Sequence, residues 1–297
     1  MSSKTSLRRS LLGIPGNERG LVSGAIASDA DEVFLDLEDS LGPGEKVTAR
    51  SALIDIVADR DWEDRGLSYR INGTDTRWWY DDIIDVVGGV GEAIDTLIVP
   101  KVRAPADVQA VEKLLASVET GAGLPVGSVG LSAQIETAAG MNAVTDIAHA
   151  SDRLTALIFG PADYAAAIGA AHGATDYPGH YWHYPLSRLS HAAASAGLLA
   201  IGGPYTDGDP AGFEQACRYE RALGYDGKVV IHPEQVATAN EAFAPSTEEV
   251  RRAKEIVEQY EAADSDAPAA IDGNVIDREM YRMAEEILAK AEAAGLV

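Results

Sequence analysis

Eight short apolar runs, most of them rich in β-branched residues, punctuate the chain. They occupy residues 11–15, 32–39, 67–72, 96–101, 129–136, 154–160, 198–203 and 227–232. Runs of this length, bounded by turn-forming residues, read as fully buried strands. The stretches between them carry helical spacing. In 105–117, Val108, Val111, Leu114 and Leu115 recur at i, i+3 and i+6/7 behind Pro105. In 209–223, Phe213, Ala216, Cys217 and Leu223 share one side.

Strand–helix alternation of this kind predicts a parallel sheet with right-handed crossovers, and eight units can close into a (β/α)8 barrel. An open doubly wound sheet competes with that reading. It usually places a glycine-rich phosphate turn after its first strand, whereas here Ile14-Pro-Gly-Asn-Glu-Arg-Gly20 has no G-x-G-x-x-G. The barrel is expected over 1–245, with a helical extension over 246–297. In that extension 247–260 reads as a charged helix with Ser246 or Thr247 as cap, and 262–270 as a flexible linker. A last helix over 277–294 carries Met280, Met283, Ile287 and Leu288 on one face. Such a stripe packs on its own chain or, given the linker, on a neighbouring subunit.

Composition narrows the function classes. The 297 residues are 46% hydrophobic, with 24 Lys+Arg against 47 Asp+Glu and a formal net charge of −23. That is enough apolar material for a large core. A surface this acidic repels nucleic acid and anionic membranes. Few lysines beside many aspartates point to adaptation to high salt, where screening removes the mutual repulsion. No apolar run approaches the roughly 20 residues of a membrane helix. The polar N-terminal segment lacks a signal-peptide core, so a cytoplasmic protein is expected. The one cysteine, Cys217, can make neither an intrachain disulfide nor a cysteine-based zinc site.

The candidate chemistry sits where the predicted strands end, which in a parallel barrel is one mouth. The second run ends in Asp36-Leu-Glu38-Asp39, the third carries Arg70 and the fourth Lys101. Glu136 closes the fifth, Asp163 follows the sixth and His232 closes the eighth. Any one of these could be a helix cap or an ion-pair partner; their shared end argues for a site. Glu136 and Asp163 suit a hard divalent cation such as Mg²⁺, which takes one or two carboxylates and leaves other positions to water and substrate. Arg70 would balance substrate charge or stabilise an enolate oxygen. Lys101 beside such carboxylates reads as a charge partner rather than a Schiff-base lysine.

Other motifs carry less. His180-Tyr-Trp-His183 lies in a Pro/Gly/aromatic stretch read as a loop over 173–184, a substrate gate or interface rather than a metal site. Gly42-Pro-Gly-Glu-Lys46 is not a phosphate loop, because the G-K-[ST] ending is absent. No G-x-S-x-G supports a serine hydrolase.

Ordered motifs along nearly the whole chain carry a resemblance. They are Arg9-Ser-Leu-Leu-Gly-Ile-Pro-Gly-Asn17, Phe34-Leu-Asp-Leu-Glu-Asp-Ser40, Lys46-Val-Thr-Ala-Arg50, Tyr69-Arg-Ile-Asn72 and Ile98-Val-Pro-Lys101. Gln134-Ile-Glu-Thr137, Phe159-Gly-Pro-Ala-Asp163, Gly224-Tyr-Asp-Gly-Lys-Val-Val-Ile-His-Pro233, Asn240-Glu-Ala-Phe-Ala-Pro-Ser246 and Ile271-Asp-Gly-Asn-Val-Ile-Asp277 continue it. By these the chain resembles the citrate lyase β-subunit-like enzymes of the aldolase and citrate lyase superfamily, a group that includes the malyl-CoA and β-methylmalyl-CoA lyases.

The resemblance implies a barrel that binds Mg²⁺, or Mn²⁺, and a CoA thioester. It implies reversible cleavage of a 3-hydroxyacyl-CoA to glyoxylate and acetyl-CoA or propionyl-CoA, in a homo-oligomer such as a trimer or hexamer. Glu136 and Asp163 would be the metal ligands, and Arg70 would meet the substrate carbonyl and its developing oxyanion. The backbone of Gly160, Pro161, Ala162 and Asp163 would hold the keto-acid carboxylate. Pro15, Gly16 and Arg19 would line the CoA path, and Asp277 would enter a neighbouring subunit's site as acid/base. Many relatives carry a second acidic residue where Ala162 stands, so the carboxylate pocket is expected to differ. A malyl-CoA thioesterase, a citramalyl-CoA lyase and a citrate lyase β subunit working in a complex are the alternatives.

Overall fold

All eight apolar runs form strands. In a computed structural model, residues 7–60, 62, 65–170, 178–262, 269–271 and 274–297 are described. The strands are β1 (Ser10–Pro15), β2 (Glu32–Asp36), β3 (Gly66–Arg70), β4 (Thr96–Val99), β5 (Gly130–Ile135), β6 (Leu154–Phe159), β7 (Leu199–Gly202) and β8 (Gly227–Val230). They pair in parallel in sequence order, and β8 returns to β1 to close the barrel. The helices are α1 (Arg19–Ile26), α2 (Lys46–Ala58), α3 (Trp79–Val90), α4 (Pro105–Ala122), α5 (Ala138–Asn142), α6 (Val144–Ala148), α7 (Pro161–Ile168), α8 (Pro178–Ser195), α9 (Pro210–Ala222) and α10 (Glu234–Phe243). One compact unit spans Arg8–Phe243.

Alternation along the strands fills the barrel in layers. On β2 the inward residues are Glu32, Phe34 and Asp36. Phe34 belongs to the apolar middle layer with Leu11, Ile98, Ala156, Ile158, Ile201 and Val229. Below it Glu32 pairs with Arg8 (Nε–Oε2 2.5 Å) and accepts from Ser68 Oγ (2.6 Å). Arg8 Nη1 also donates to Ser132 Oγ and Thr155 Oγ1. Above the middle layer, Asp36 opens the charged mouth. The ring of Phe34 needs the missing side chain of Gly13, where a Cβ would stand 2.5 Å from its Cζ. The outward residues pack under the helices: Val33 and Leu35, like Val108, Val111 and Leu115 of α4, are fully buried.

Helix starts follow local chemistry. Pro105 opens α4, and the Asp107 carboxylate accepts from the backbone N–H groups of Arg103 and Ala104. Asp209 caps α9 by accepting from the Ala211 and Gly212 N–H groups.

The second unit contains Ala244–Val297. It holds α11 (Thr247–Ala262), the antiparallel pair β9 (Ala269–Ile271) and β10 (Asn274–Ile276), and α12 (Arg278–Ala293). Ser246 and Glu249 cap α11 reciprocally: the Ser246 N–H donates to Glu249 Oε2, and Glu249 N–H to Ser246 Oγ. Of the expected α12 stripe, Met280, Ile287 and Leu288 pack against a core with Ala253 and Ile256 of α11, while Met283 is exposed.

Two expectations are corrected. Residues 269–270, read as linker, open strand β9; 263–268 lie outside the described residues. The stretch read as a loop over 173–184 contains the start of helix α8 from Pro178, with Pro185 inside that helix. Residues 173–177 are outside the described residues. Among the described residues no helix is long and apolar enough to cross a membrane.

Candidate active site at the barrel mouth

The register of β2 on β3 sets Asp36 beside Arg70. Arg70 Nε and Nη2 each donate to one oxygen of the Asp36 carboxylate at 2.7 Å. The loop after β2 closes over the same carboxylate, with the Glu38 N–H on Oδ1 (2.9 Å) and the Ser40 N–H on Oδ2 (3.0 Å). Asp36 therefore has its lone pairs filled, and it fixes the plane of the guanidinium above Phe34, 5.9 Å from the ring centre. Arg70 Nη1 is left facing the mouth, 3.4 Å from Gln134 Oε1 and 3.3 Å from Glu38 Oε2. That Glu38 oxygen is buried and has no hydrogen bond of good geometry.

Glu136 follows β5 and is 1% exposed. Its Oε1 accepts from the backbone N–H of Lys101 (2.7 Å) and its Oε2 from Gln134 Nε2 (2.5 Å). The first bond depends on a backbone rarity. Lys101 is the only non-glycine with a left-handed φ among the described residues, at 52°, a conformation that other L-residues adopt at some cost. It aims one group each way, its N–H at Glu136 and its ammonium at Glu38 and at Asp39 Oδ1 (3.1 Å). Gly160, the residue after β6, gives the Glu136 carboxylate its space: a Cβ there would stand 2.4 Å from Oε2. Pro161 opens α7 and Asp163 lies in its first turn, half-buried.

Burial and charge act together on these groups. Burial drives the Glu136 carboxyl up to about 7, and the nearby Glu38 charge adds to it against Arg70 and Lys101. Burial likewise raises Glu38 despite the same two cations. Burial would also raise Asp36, but the Arg70 guanidinium and the loop hydrogen bonds hold it down to about 2. Arg70 and Lys101 are shifted up: the carboxylates around them outweigh burial, which alone would lower both.

This donor set fits a divalent cation. Four carboxylates, Asp36, Glu38, Asp39 and Glu136, gather here against the cations of Arg70, Lys101 and, beneath the loop, Lys46. Glu136 is buried with a lone pair left on each oxygen, an arrangement that a bound cation stabilises. Among the described residues there is no group of three or more His, Cys, Asp or Glu placed to ligate a metal. Mg²⁺ commonly takes only one or two protein carboxylates and leaves its other positions to water and substrate.

The other expected site residues scatter more widely. Pro15 ends β1, and Gly16 donates to the Asp36 carbonyl at 2.8 Å. Arg19 turns to an exposed ion pair with Asp59 (2.8 Å), and no described contact joins it to the mouth cluster. Asp277, in the second unit, is exposed and caps α12 by accepting from the Met280 N–H (2.8 Å). His232 lies beyond the end of β8, which stops at Val230; its exposed side chain has Glu234 as neighbour at 3.7 Å. His183 Nδ1 is 2.7 Å from the Tyr219 hydroxyl. Burial pushes the Cys217 thiol up to about 12, so it is an inert core residue. Gln134 and Lys46 belong to the cluster and had no assigned part. Gln134 shares the inward parity of Ser132 and Glu136, which is a readable signal.

Comparison with known proteins gives the family. The HpcH/HpaI aldolase/citrate lyase family matches residues 9–233. The chain is similar to the L-malyl-CoA/beta-methylmalyl-CoA lyase of Cereibacter sphaeroides, 37% identical over 94% of this chain and 92% of the relative. It is 32% identical to citrate lyase subunit beta of Escherichia coli, over 99% of this chain and 96% of the relative. The CitE structure of Mycobacterium tuberculosis, solved with magnesium, acetoacetate and coenzyme A, superposes with a TM-score of 0.77 at 27% identity. That match covers 97% of this chain and 99% of the other. On the barrel, the ordered mouth residues and these full-length similarities, the chain belongs to the HpcH/HpaI aldolase/citrate lyase family.

Proposed function

We propose that the protein is a Mg²⁺-dependent carbon–carbon lyase for a 3-hydroxyacyl-CoA of the malyl-CoA or β-methylmalyl-CoA type. The observation that carries this reading is the juxtaposition of an oriented, outward-facing Arg70 edge with the buried Glu136 carboxylate. The full-length similarity to malyl-CoA/β-methylmalyl-CoA lyases supports the substrate class. In the cleavage direction the substrate hydroxyl loses its proton and the bond between the carbinol carbon and the acyl α-carbon breaks. Glyoxylate leaves, and the α-carbon electrons become a thioester enolate that takes up a proton to give acetyl-CoA or propionyl-CoA.

Glu136 and Asp163 would hold the metal, which when bound supplies Lewis-acid polarisation of the keto-acid oxygens. Arg70, fixed by Asp36, donates to the enolate oxygen, where charge develops only in the transition state. The backbone over Gly160–Asp163 receives the keto-acid carboxylate at the start of α7, whose N–H groups favour an anion. Pro15 and Gly16 line the CoA path. Asp277 from a neighbouring copy exchanges the proton at the α-carbon, so the working form is a cytoplasmic homo-oligomer. The net charge of −23 supports adaptation to high salt.

Purified protein incubated with malyl-CoA and Mg²⁺ tests the reading. Glyoxylate and acetyl-CoA are the expected products, with activity abolished by EDTA and restored by Mg²⁺ or Mn²⁺. Malate and free CoA would identify a thioesterase instead, and full activity after chelation would remove the metal assignment.

A further inference from the structure

The first residue of α2 is electrostatically misplaced. Lys46 puts an ammonium at the positive end of a helix dipole. Its residue is only 6% exposed, and among the described residues no carboxylate lies within ion-pair distance. Nζ donates instead to two backbone carbonyls, Leu37 O at 2.9 Å and Glu38 O at 2.6 Å, with the Trp78 ring centre 5.9 Å away. A buried cation in this position is unfavourable for the helix alone. Its compensation lies in the loop after β2, whose carbonyls it gathers. That loop carries Glu38, which lies 3.3 Å from Arg70 and is paired with Lys101. One turn along α2, Arg50 performs a parallel task through Asp82, which accepts from both the N–H and the side-chain amide of Asn72 just beyond Arg70.

We propose that Lys46 is a positioning residue for the reaction: by drawing the Leu37 and Glu38 carbonyls onto its ammonium, it sets the Glu38 carboxylate between Arg70 and Lys101. Without that clamp the loop relaxes and Glu38 swings out. Arg70 Nη1 and the Lys101 ammonium then lose their shared partner, and the groups flanking Glu136 shift. Only the turnover part of the test rests on the lyase reading.

Two measurements on Lys46→Met test it. The first is a crystal structure, independent of activity. It is expected to show β2 and β3 unchanged and the Glu38 carboxylate displaced from Lys101 and Arg70; Glu38 in its original place overturns the proposal. The second is a double-mutant cycle with Glu38→Gln in malyl-CoA cleavage. Lys46→Met and Glu38→Gln should each lower kcat by about tenfold or more, with KM little changed. The double variant should be no slower than the worse single, because both changes remove the same arrangement. Multiplying losses, or a Lys46→Met protein with native kcat, overturn the proposal. If Lys46→Met does not fold, Lys46→Ala, which also removes the donor, takes its place in both measurements. Failure of both to fold assigns Lys46 to the scaffold and also overturns it. If the native enzyme does not cleave malyl-CoA, the lyase reading fails alone and the crystal structure still decides.

Discussion

Asp36 and Arg70 are register partners on adjacent strands, joined by two parallel N–H···O bonds of 2.7 Å. The carboxylate is the rigid member, because two loop N–H groups also hold it. Asp36→Asn keeps the shape and removes the charge. It is expected to lower kcat by about 10², the scale of losing one oriented donor. It should also destabilise the fold by about 3 kcal/mol, since a buried guanidinium loses its partner. Steady-state kinetics and urea unfolding measure the two; native kcat would show that Arg70 needs no such anchor.

Gly160→Ala tests the space around Glu136. A Cβ 2.4 Å from Oε2 and 2.5 Å from the Glu136 Cβ must displace the side chain. Overpacking of this kind costs about 1–3 kcal/mol. The variant should fold, bind Mn²⁺ at least tenfold more weakly by the usual scale for disturbed ligand support, and turn over correspondingly slowly. Unchanged Mn²⁺ affinity in a titration would separate Gly160 from the metal.

Away from the mouth, Glu119 gives a pH prediction. It is paired with Arg153 at 2.7 Å and accepts from the Gly127 and Val129 N–H groups. These interactions outweigh burial and lower its carboxyl pKa. The unfolded chain, with a pKa near 4.3, then binds the proton more readily, so stability rises with pH through this window. The contribution is complete above about pH 5 and is lost as pH falls through the folded pKa. The gap in Tm between the native protein and Glu119→Gln should therefore narrow from pH 6 to pH 3. A constant gap would mean that ionisation of Glu119 contributes nothing.

The net charge of −23 makes self-repulsion depend on salt. The Debye length falls from about 30 Å at 0.01 M to about 3 Å at 1 M. Tm is expected to rise with KCl into the molar range. A flat or falling curve between about 0.1 and 2 M, over which the Debye length still shrinks from about 10 Å to under about 3 Å, would contradict adaptation to salt.

Asp277 is a helix cap in this structure, and Asn caps almost as well. Asp277→Asn should thus leave Tm unchanged while lowering kcat by about 10²–10⁴ if the carboxylate moves a proton. Mixing it with Glu136→Ala under subunit exchange should restore partial activity through hybrid sites. No recovery despite proven exchange would place each chain's own Asp277 in its own site.

The barrel was legible because fully buried parallel strands leave continuous apolar runs, and because their polar ends fall on one side. Arg70, Glu136, Lys101, Glu38 and Asp36 do meet, as their shared strand ends implied. What stayed hidden follows from physics that spacing does not carry. Ile231 extends an apolar run but is 48% exposed, so β8 ends earlier and His232 falls outside it. The α8 start is rich in Pro, Gly and aromatics, a composition that reads as loop. Lys46 was discounted with a failed phosphate-loop pattern, since its task, holding two carbonyls of a distant turn, appears only once α2 is folded against that turn. Lys101's left-handed backbone has no sequence mark at all.

The alternation on β2 bears on how this lineage can vary. Glu32, Phe34 and Asp36 are three successive inward steps, one serving the floor, one the filling and one the mouth. Slipping the whole strand by a single residue would turn all three toward the helices and send Val33 and Leu35 inward. Floor, filling and mouth would fail together. Substitutions in this strand can be tried one at a time, but changes of length have to be taken up in the loops, and the strand is inherited as an indivisible ruler.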